Sequence, residues 1–341
     1  MKNKSIKIVS LVVILICIIG VFVACKDKKE VNNTTQTETV AKEKGYPVTI
    51  DTYSYEGKVI KETFDKAPSR VITTNQTATE LLLKLGLGDK IVGTAYLDNP
   101  ILPSLKDEYS KLKVLSDKYP TKEQALGVNP DFIFGWSTAF APKALGSIES
   151  WNERGVNCYV QRDTAKAASP YTVNNFFIDV ENLGKIFNIQ KETTNYVNEL
   201  KADLKAIKDK TDTLKKKKKV LILEAPENGM YRAYATTDLV GDMVTLAGGI
   251  DPITKPGSIS AEDIVKYNPD AIILIHYGKG ETDSDNSLKN VFLDNKALQS
   301  VTAVKDKDII LAGLTETWGG GVRTVPTIQR FAKELYPNLY K

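Results

Sequence analysis

The chain carries one pattern of polar and apolar positions twice. In residues 121–134 and again in residues 260–273, a hydroxyl residue is followed by a short helical pattern, an Asn-Pro-Asp break and an apolar run. A hydroxyl residue with an acid or amide three positions later is typical of a helix N-terminus, and the apolar run is typical of a buried strand. Two copies in the two halves of the chain predict two lobes built on one plan, with a cleft between them.

Beyond residue 66, apolar strand patterns alternate with amphipathic helical patterns, which is typical of an α/β fold with mainly parallel sheets flanked by helices. A leading β-hairpin is predicted at 48–64, around Glu56-Gly57. The predicted strands are 71–74, 91–94, 132–135, 157–161, 220–224, 271–276 and 309–312. The predicted helices are 77–85, 122–127, 142–154, 238–247, 261–267 and 325–336. About 300 structured residues exceed one comfortable core, so we expect two domains.

The two halves are joined by a segment with a continuous helical pattern. Residues 191–214 contain neither Gly nor Pro, and Tyr196, Leu200, Leu204 and Ile207 fall on one helical face. A helix of about 23 residues would be roughly 35 Å long, enough to run from one lobe to the other. The alternative is a surface helix of one lobe, because periodicity does not show what a helix packs against.

These patterns together predict how the chain is divided into lobes. It comprises an N-terminal lobe with the leading hairpin at 46–189, a connecting helix at 190–214 and a C-terminal lobe at 215–341.

Residues 1–24 have the pattern of a targeting segment. Three lysines in the first seven residues precede the mostly apolar residues 8–23, and Ala24 precedes Cys25. This is typical of a bacterial lipoprotein signal peptide, with Cys25 as the lipidated N-terminus after cleavage. The alternative is an uncleaved anchor, since 16 mostly apolar residues approach the length of a membrane span. Both interpretations place the domain outside the membrane, and the polar residues 25–45 predict a flexible tether.

Composition excludes several kinds of chemistry. The chain has 46 Lys and Arg against 42 Asp and Glu, three of the lysines lie in the signal segment, and no nucleic acid is expected as a partner. The basic run 215–219 precedes an apolar strand pattern and is interpreted as solvated. Only Cys158 remains besides the signal cysteine and Cys25, so no disulfide is expected within the chain. His276 is the only histidine, which excludes a zinc site or triad that needs two.

An anchored, tethered, two-lobed α/β chain resembles the extracytoplasmic substrate-binding proteins of bacterial ABC importers, in particular the class that serves ferric siderophores, vitamin B12 and haem. The resemblance extends from about Ala67 to the C-terminus, and residues 69–73, 82–93 and 246–249 carry it together with both repeated phrases. It implies a monomer that captures a small-molecule chelate and delivers it to a permease dimer driven by a cytoplasmic ATPase. Iron would arrive inside the ligand, so neither a cofactor nor a metal of the protein's own is expected.

The resemblance also gives a role to one residue in each repeated phrase. In this family a glutamate on the outer surface of each lobe docks into arginine-lined pockets of the permease, and Glu123 and Glu262 stand at the matching positions. A carboxylate forms a charge-assisted, orienting contact with arginine. Each glutamate also lies in a first helical turn after Thr121 or Ser260, where the helix dipole favours an acid without any partner. The two uses are compatible.

Candidate ligand-binding residues follow from the rule that ligands of open α/β sheets collect beyond the carboxyl ends of the strands. Aromatic and arginine side chains recur at these positions, and three of the chain's six arginines are among them. Rings and guanidinium groups suit a large, partly apolar, anionic chelate. The alternative for each residue is a side chain that covers a loop edge. The candidates are Tyr96, Trp136, Arg162, Tyr231, Arg232, Tyr234, His276, Tyr277, Trp318 and Arg323.

Other functions remain open at this point. His276, with Tyr277 beside it, is compatible with a haem ligand and also with a hydrogen-bonded residue at the cleft rim. A corrinoid or haem receptor is therefore the alternative to an iron–siderophore receptor. A surface hydrolase would use an acid such as Asp98 or Glu224, but the chain has no Gly-x-Ser-x-Gly elbow and no histidine network. An adhesin or sensor would use the same lobes for signalling.

Overall fold

The computed structural model describes residues 44–277 and 284–341, which form two five-stranded sheets, a two-stranded hairpin and flanking helices. The strands are β1 (Val48–Tyr53), β2 (Val59–Phe64), β3 (Val71–Thr73), β4 (Ile91–Ala95), β5 (Val114–Ser116), β6 (Phe132–Gly135), β7 (Asn157–Val160), β8 (Val220–Glu224), β9 (Tyr231–Ala233), β10 (Gly257–Ile259), β11 (Ala271–His276) and β12 (Ile309–Gly313). The helices are α1 (Gln76–Lys84), α2 (Lys106–Ser110), α3 (Lys122–Leu126), α4 (Ile148–Asn152), α5 (Val173–Phe187), α6 (Gln190–Thr211), α7 (Leu239–Leu246), α8 (Ala261–Tyr267), α9 (Asn290–Leu293), α10 (Thr302–Lys305), α11 (Leu314–Thr317) and α12 (Thr324–Leu335). The predicted signal peptide, Cys25 and nearly all of the predicted tether lie outside the described residues.

The two sheets share one plan. Their orders are β5-β4-β3-β6-β7 and β10-β9-β8-β11-β12, so β3 and β6 of the N-terminal lobe correspond to β8 and β11 of the C-terminal lobe. All pairs of the first sheet are parallel, whereas β9 pairs antiparallel with both of its neighbours in the second. The connection from β8 to β9 is too short for a parallel crossover, which needs a dozen or more residues. The mainly parallel α/β fold is confirmed, and the antiparallel edge of the second sheet is its one departure.

Both repeated phrases form the same local structure at their start. Thr121 accepts a hydrogen bond from the amide of Gln124, whose side chain in turn accepts one from the amide of Thr121. Ser260 and Asp263 repeat this reciprocal capping box. The predicted helix starts are therefore confirmed in both lobes.

The Asn-Pro-Asp break is also the same in both copies. Asn129 and Asn268 adopt left-handed conformations, with φ of +46° and +43°, which Asn tolerates better than most residues. Asp131 then accepts hydrogen bonds from backbone amides just before β3, and Asp270 accepts one from the amide just before β8. Each break thus turns the chain and fixes the next strand beside its neighbour.

The long helix α6 joins the lobes. It has 22 residues and is therefore roughly 33 Å long. Its buried positions Val197, Leu200 and Ile207 belong to one hydrophobic cluster that also includes α5 and α12, helices of the two different halves. This confirms the connecting helix and excludes a surface helix that belongs to one lobe. Two further clusters lie against the C-terminal sheet and against the N-terminal sheet and hairpin.

The helix predicted at 142–154 is wrong in extent. The structure has only α4, because Gly146 takes a φ of +79° and Ser147 begins a new helix by accepting a hydrogen bond from the amide of Ser150. The glycine interrupts a pattern that otherwise has helical spacing.

Helix α5 was not predicted although most of its residues are buried. Its buried face carries Asn175, Asp179 and Asn182, which break the apolar period. Their partners lie far away in sequence: Asp179 accepts from the hydroxyl of Tyr159 at 2.7 Å, and Asn175 donates to Asp163 at 2.9 Å. A hydropathy pattern does not reveal such buried polar pairs. Strands β5, β9 and β10, three residues each, were also not predicted.

Candidate functional site

A cavity of about 190 Å³ lies between the two lobes. The N-terminal lobe contributes Trp136, which follows β6, and the C-terminal lobe contributes the other walls. Glu224 ends β8, Tyr277 follows β11 and Leu314 follows β12, so the cavity lies at the carboxyl ends of the strands, as predicted. The full lining is Trp136, Glu224, Arg232, Tyr234, Tyr277, Leu314 and Trp318.

The carboxylate of Glu224 is the centre of this cavity's polar contacts. The hydroxyl of Tyr234 donates to it at 2.6 Å, the hydroxyl of Tyr277 lies at 3.5 Å, and Nη1 of Arg232 lies at 3.4 Å. The Glu224 side chain is only 12% exposed, whereas that of Arg232 is 52% exposed. Burial raises the pKa of Tyr234 well above its usual value, and the negative charge of Glu224 raises the pKa of Tyr277, so both phenols stay protonated donors.

Aromatic rings form the walls around this polar centre. The ring centroids of Tyr234 and Trp318 are 6.3 Å apart in a T-shaped arrangement. The guanidinium of Arg232 lies 4.9 Å from the Tyr234 ring centroid and 5.7 Å from that of Trp318, within cation–π range. The cavity therefore offers flat contact surfaces, one partly exposed cation and one buried anion.

The position of Trp136 depends on the glycine-rich loop of the other lobe. The indole nitrogen donates to the hydroxyl of Thr77 at 3.1 Å, and a Cβ placed on Gly319 would lie 2.4 Å from that nitrogen. Gly319 also has a φ of +79°, so a side chain there would be both strained and blocked. The glycine-rich segment 319–321 passes against the N-terminal lobe at this point.

A second aromatic group extends the N-terminal wall. Tyr96 lies 6.3 Å from Trp136 and 4.9 Å from Tyr119 between ring centroids, and Nζ of Lys118 lies 4.4 Å from the Tyr96 ring centroid. The nearby carboxyl of Asp98 is 9% exposed, and its Oδ2 has no hydrogen-bond partner. Burial raises the pKa of Asp98 to about 6.

A larger cavity of about 440 Å³ adjoins the first and shares Glu224 and Tyr277 with it. His276, the last residue of β11, lines this cavity and is only 5% exposed, whereas Tyr277 is 53% exposed. Six of the ten candidates therefore line the two adjoining cavities: five line the smaller one, and His276 lines the larger one. Tyr96 lies beside them through its contact with Trp136.

Three candidates point elsewhere in this structure. The guanidinium of Arg162 lies 5.2 Å from the ring centroid of Tyr53 on the leading hairpin. Arg323 pairs with Glu80 of the N-terminal lobe. Tyr231 lies on the other side of β9, where its phenol oxygen accepts a hydrogen bond. Their contact with ligand stays a prediction.

The partner of Tyr231 is Asn295, whose amide donates to the phenol oxygen at 2.9 Å, and its ring stacks on Phe292 at 5.5 Å between centroids. Tyr231 is therefore part of the hydrophobic cluster behind the C-terminal sheet. Alternation along β9 explains this placement, since only every second side chain faces the same side of a strand.

Glu224 is the central residue that the sequence did not identify as a binding residue. It appeared only as the acid of a hypothetical hydrolase. The sequence could have placed Glu224 in the cleft, because it is the last residue of a predicted strand and strand ends line the cleft. Leu314 follows β12 in the same way, and its neighbour Thr315 donates to Gln76 of the N-terminal lobe.

The two glutamates in the repeated phrases lie on the surface. Glu123 and Glu262 are exposed in the first turns of α3 and α8. The pKa of Glu123 is lowered by hydrogen bonds from its own backbone amide and from Thr121. The capping explanation for a first-turn acid therefore holds at least for Glu123, and permease docking stays a prediction.

Within residues 44–277 and 284–341, no helix is long and apolar enough to cross a membrane.

Two α/β lobes on a common plan, one connecting helix and a cavity at the strand ends define a two-lobed solute-binding protein. The chain matches the periplasmic binding protein family over residues 71–313 and belongs to that family. The family consists of substrate-binding proteins of transport systems, not of enzymes. The protein is accordingly a solute-binding protein of the ABC transporter class.

Individual proteins agree with this assignment. The chain is 24% identical over 316 residues to an uncharacterized ABC transporter substrate-binding lipoprotein, YvrC, of Bacillus subtilis (strain 168), covering 91% of this chain and 93% of the relative. A periplasmic binding protein from Veillonella parvula DSM 2008 superimposes with a TM-score of 0.77 at 29% identity, over 86% of this chain and 93% of that one. An ABC-type Fe3+-hydroxamate transport system protein from Saccharomonospora viridis DSM 43017 has a TM-score of 0.69 at 18% identity, over 85% and 99%.

Proposed function

We propose that the protein captures an iron–siderophore-like chelate outside the cell and delivers it to an ABC permease that a cytoplasmic ATPase drives. The observation that carries this proposal is the cavity between the lobes, which four aromatic side chains line and to which Arg232 and Tyr277 contribute hydrogen-bond donors. Ring faces supply contact area for a large ligand, and a guanidinium pairs with carboxylate, catecholate or hydroxamate oxygens. The Saccharomonospora relative, described as part of an Fe3+-hydroxamate transport system, adds support.

Iron would enter as part of the cargo, so the protein would need no metal of its own. Delivery would take place at a membrane to which the chain is attached through Cys25. The lipoprotein description of the Bacillus relative supports this anchor. A monomeric binding protein would then meet the permease dimer with one lobe on each subunit, through Glu123 and Glu262.

A haem or corrinoid receptor is the second candidate. His276 and Tyr277 line the larger cavity, and an imidazole beside a phenol is the kind of donor set that binds haem iron. A periplasmic haem-binding protein from Roseiflexus sp. RS-1 shares the fold, with a TM-score of 0.64. A titration with ferric chelates, haem and cobalamin distinguishes this candidate from a siderophore receptor.

Fluorescence titration separates the candidates. Trp136 and Trp318 line the cavity, whereas Trp151 is fully buried against the other side of the N-terminal sheet, so ligand binding is expected to quench the first two. We expect saturable quenching by a ferric hydroxamate or ferric catecholate, retained in Trp151→Phe and reduced in Trp136→Phe and Trp318→Phe. Saturation by haem or cobalamin alone would favour the second candidate, and no saturation by any of these probes would contradict both.

Transport is tested through the two surface glutamates. In cells, the double substitution Glu123→Ala with Glu262→Ala is expected to abolish uptake of the chelate while the purified variant keeps its ligand affinity, because neither residue lines the two cavities at the strand ends. The matched control replaces Glu149 and Glu192, exposed acids in the first turns of α4 and α6, so it loses the same helix-dipole interaction. Uptake that persists in the first variant would remove the docking role.

A further inference from the structure

The cleft buries a negative charge and leaves its positive charge in solvent. Glu224 and Arg232 are the only charged side chains among the described residues that line the smaller cavity. The side chain of Glu224 is 12% exposed and that of Arg232 is 52% exposed. A half-exposed charge is screened by water and salt, whereas a buried charge is screened much less. The cavity wall therefore attracts a positive group more strongly than a negative one.

The larger cavity does not reverse this balance. Glu224 lines it too, and neither Lys nor Arg is among its described lining residues. The carboxylate thus lies at the junction of the two cavities, where it acts on a ligand in either of them.

The pair between Glu224 and Arg232 is loose. Nη1 of Arg232 lies 3.4 Å from Oε1, beyond the roughly 2.7–2.9 Å of a charge-assisted hydrogen bond. Oε1 also accepts the hydroxyl of Tyr234 at 2.6 Å, whereas the hydroxyl of Tyr277 lies 3.5 Å from Oε2. A carboxylate oxygen can accept more than one hydrogen bond, so Oε2 has room for a stronger donor than Tyr277.

Four aromatic side chains line the same cavity as this carboxylate. We call Trp136, Tyr234, Tyr277 and Trp318 the aromatic box. Ring faces attract cations, most strongly where water is excluded. The guanidinium of Arg232 lies 4.9 Å from the ring centroid of Tyr234 and 5.7 Å from that of Trp318, so two of these rings already contact a cation. A buried carboxylate beside several rings is suited to binding an organic cation.

The volume of the smaller cavity limits what can enter it. Its 190 Å³ lie below the roughly 300–1,000 Å³ of a pocket that encloses a whole drug-sized ligand. The smaller cavity therefore fits one end group of a larger ligand. The adjoining cavity of about 440 Å³ leaves space for the remainder.

We infer that the protein selects chelates with a cationic end group, such as an alkylammonium, and that Glu224 and the aromatic box bind this group. The inference rests on the proposed capture of a ferric chelate and specifies the charge of the cargo. Arg232 lies where the end group would bind, so the ligand's cation displaces it. The displaced guanidinium is then free to pair with oxygens of the chelate. Glu224 is thereby a specificity-determining residue that favours a cationic chelate over an anionic one.

The test is a fluorescence titration of the purified protein with three ferric complexes of one linear trihydroxamate. The complexes differ only at the chain end, which is a primary ammonium, its neutral acetamide or its succinamide with a free carboxylate. We expect the ammonium complex to bind about tenfold more tightly than the neutral one, and the neutral one about tenfold more tightly than the anionic one. Each step changes the charge beside a buried carboxylate by one unit.

The variant Glu224→Gln keeps the size of the side chain and an oxygen for the hydroxyl of Tyr234, but it carries no charge. The three dissociation constants should then agree within about threefold, because the differences come from that charge. The matched control is Glu227→Gln, which removes an exposed acid three residues later and should leave the differences as they are in the wild type.

Arg232→Gln supplies an independent variant at a half-exposed position, which tests the inference even if Glu224→Gln does not fold. Removing the competing guanidinium should strengthen binding of the ammonium complex about fivefold and weaken binding of the anionic one. Equal affinities of the three complexes for the wild type would overturn the inference. So would an unchanged preference in Glu224→Gln, or weaker binding of the ammonium complex by Arg232→Gln.

The outcome is separable from that of the chelate proposal. If all three complexes bind equally, the chelate proposal stands and the selection of a cation is refuted. If none of them binds, the chelate proposal fails, and the cation site is tested with choline against its neutral isostere 3,3-dimethyl-1-butanol. Saturable quenching by choline alone, lost in Glu224→Gln, would then support the site, and no quenching by choline would refute it as well.

Discussion

The ion pair between Glu80 of α1 and Arg323 before α12 connects the two lobes. Nε and Nη2 of Arg323 donate to the two carboxylate oxygens of Glu80 at 2.8 and 2.5 Å, and Nη2 also donates to the carbonyl of Pro100 at 2.7 Å. The Glu80 side chain is 1% exposed and that of Arg323 is 12% exposed. Replacing Arg323 with Met would therefore leave a buried carboxylate without its counter-charge.

The magnitude follows from the burial. Breaking a buried pair by removing one partner typically costs about 3–5 kcal/mol, because the remaining charge stays desolvated. We expect the lower part of this range for Arg323→Met, since the amide of Leu102 and the side chain of Gln76 still donate to Glu80. For a chain of this size about 1 kcal/mol corresponds to roughly 2–3 °C, so the melting temperature should fall by about 6–10 °C.

A double-mutant cycle supplies the assay. Urea unfolding of the wild type, Glu80→Met, Arg323→Met and the double variant is expected to show that the double variant recovers most of the loss, because two apolar side chains need no counter-charge. The control is Lys61→Met, which breaks the Lys61–Asp51 pair at 2.7 Å, where the side chains are 73% and 47% exposed. That substitution should cost less than about 1 kcal/mol.

Two results would refute this reasoning. One is a loss for Arg323→Met no larger than for the exposed control, and the other is a double variant whose loss equals the sum of the two single losses. The double variant also tests the predicted ligand contact of Arg323. A folded double variant with wild-type affinity for chelate would remove Arg323 from the ligand-binding set.

Two further predictions concern buried carboxyl groups. Replacing Glu224 with Gln should strengthen binding of an anionic ferric catecholate by about tenfold or more, because it removes a negative charge 3.4 Å from Arg232. The control Glu227→Gln, at an exposed position, should change the affinity little. Weaker binding by Glu224→Gln would show that the carboxylate itself holds the ligand. Burial raises the pKa of Asp251 to about 7, so this carboxyl group keeps a proton in the folded state that the unfolded chain releases near pH 4. The unfolding free energy of the wild type should therefore fall by up to about 4 kcal/mol between pH 4 and pH 7. Asp251→Asn keeps an acceptor for the amide of Ile253 at Oδ1, so in denaturation curves its unfolding free energy should rise relative to that of the wild type as the pH increases. A difference in unfolding free energy that does not change with pH would contradict the raised pKa.

The parts of the fold that the sequence predicted are those with local causes. Capping boxes, left-handed Asn residues and apolar strand runs are all contained within a few neighbouring residues, so both repeated phrases could be interpreted without the rest of the chain. Helix α5 could not, because its buried Asn175 and Asp179 are compatible with a helix only once Asp163 and Tyr159 are brought to them by other elements. The satisfaction of a buried polar group is a property of the tertiary structure.

The sequence predicted at which end of the strands the candidate site lies, but not the directions in which its side chains point. The ends of parallel strands locate the cavity, which is why Trp136, Tyr277 and Trp318 were found. The same rule selected Arg162 and Arg323, whose long side chains reach away from the cavity to partners on other elements. A flexible side chain several bonds long has many directions available, and its choice depends on charges and rings that sequence position alone does not locate.

The contacts around the glycine-rich loop limit how the cleft can change. The carbonyls of Gly319 and Gly320 both accept hydrogen bonds from the side-chain amide of Gln161 in the N-terminal lobe, at 2.9 and 2.8 Å. Together with the Glu80–Arg323 pair, they hold the lobes against each other beside the cavity. Moving the lobes apart as rigid bodies would break the Glu80–Arg323 pair and exchange both Gln161 hydrogen bonds for bonds to water, at a net cost of about 0.5–1.5 kcal/mol for each hydrogen bond lost. The width of the cleft is therefore set by these contacts, and selection among ligands depends on the side chains that line the cavity.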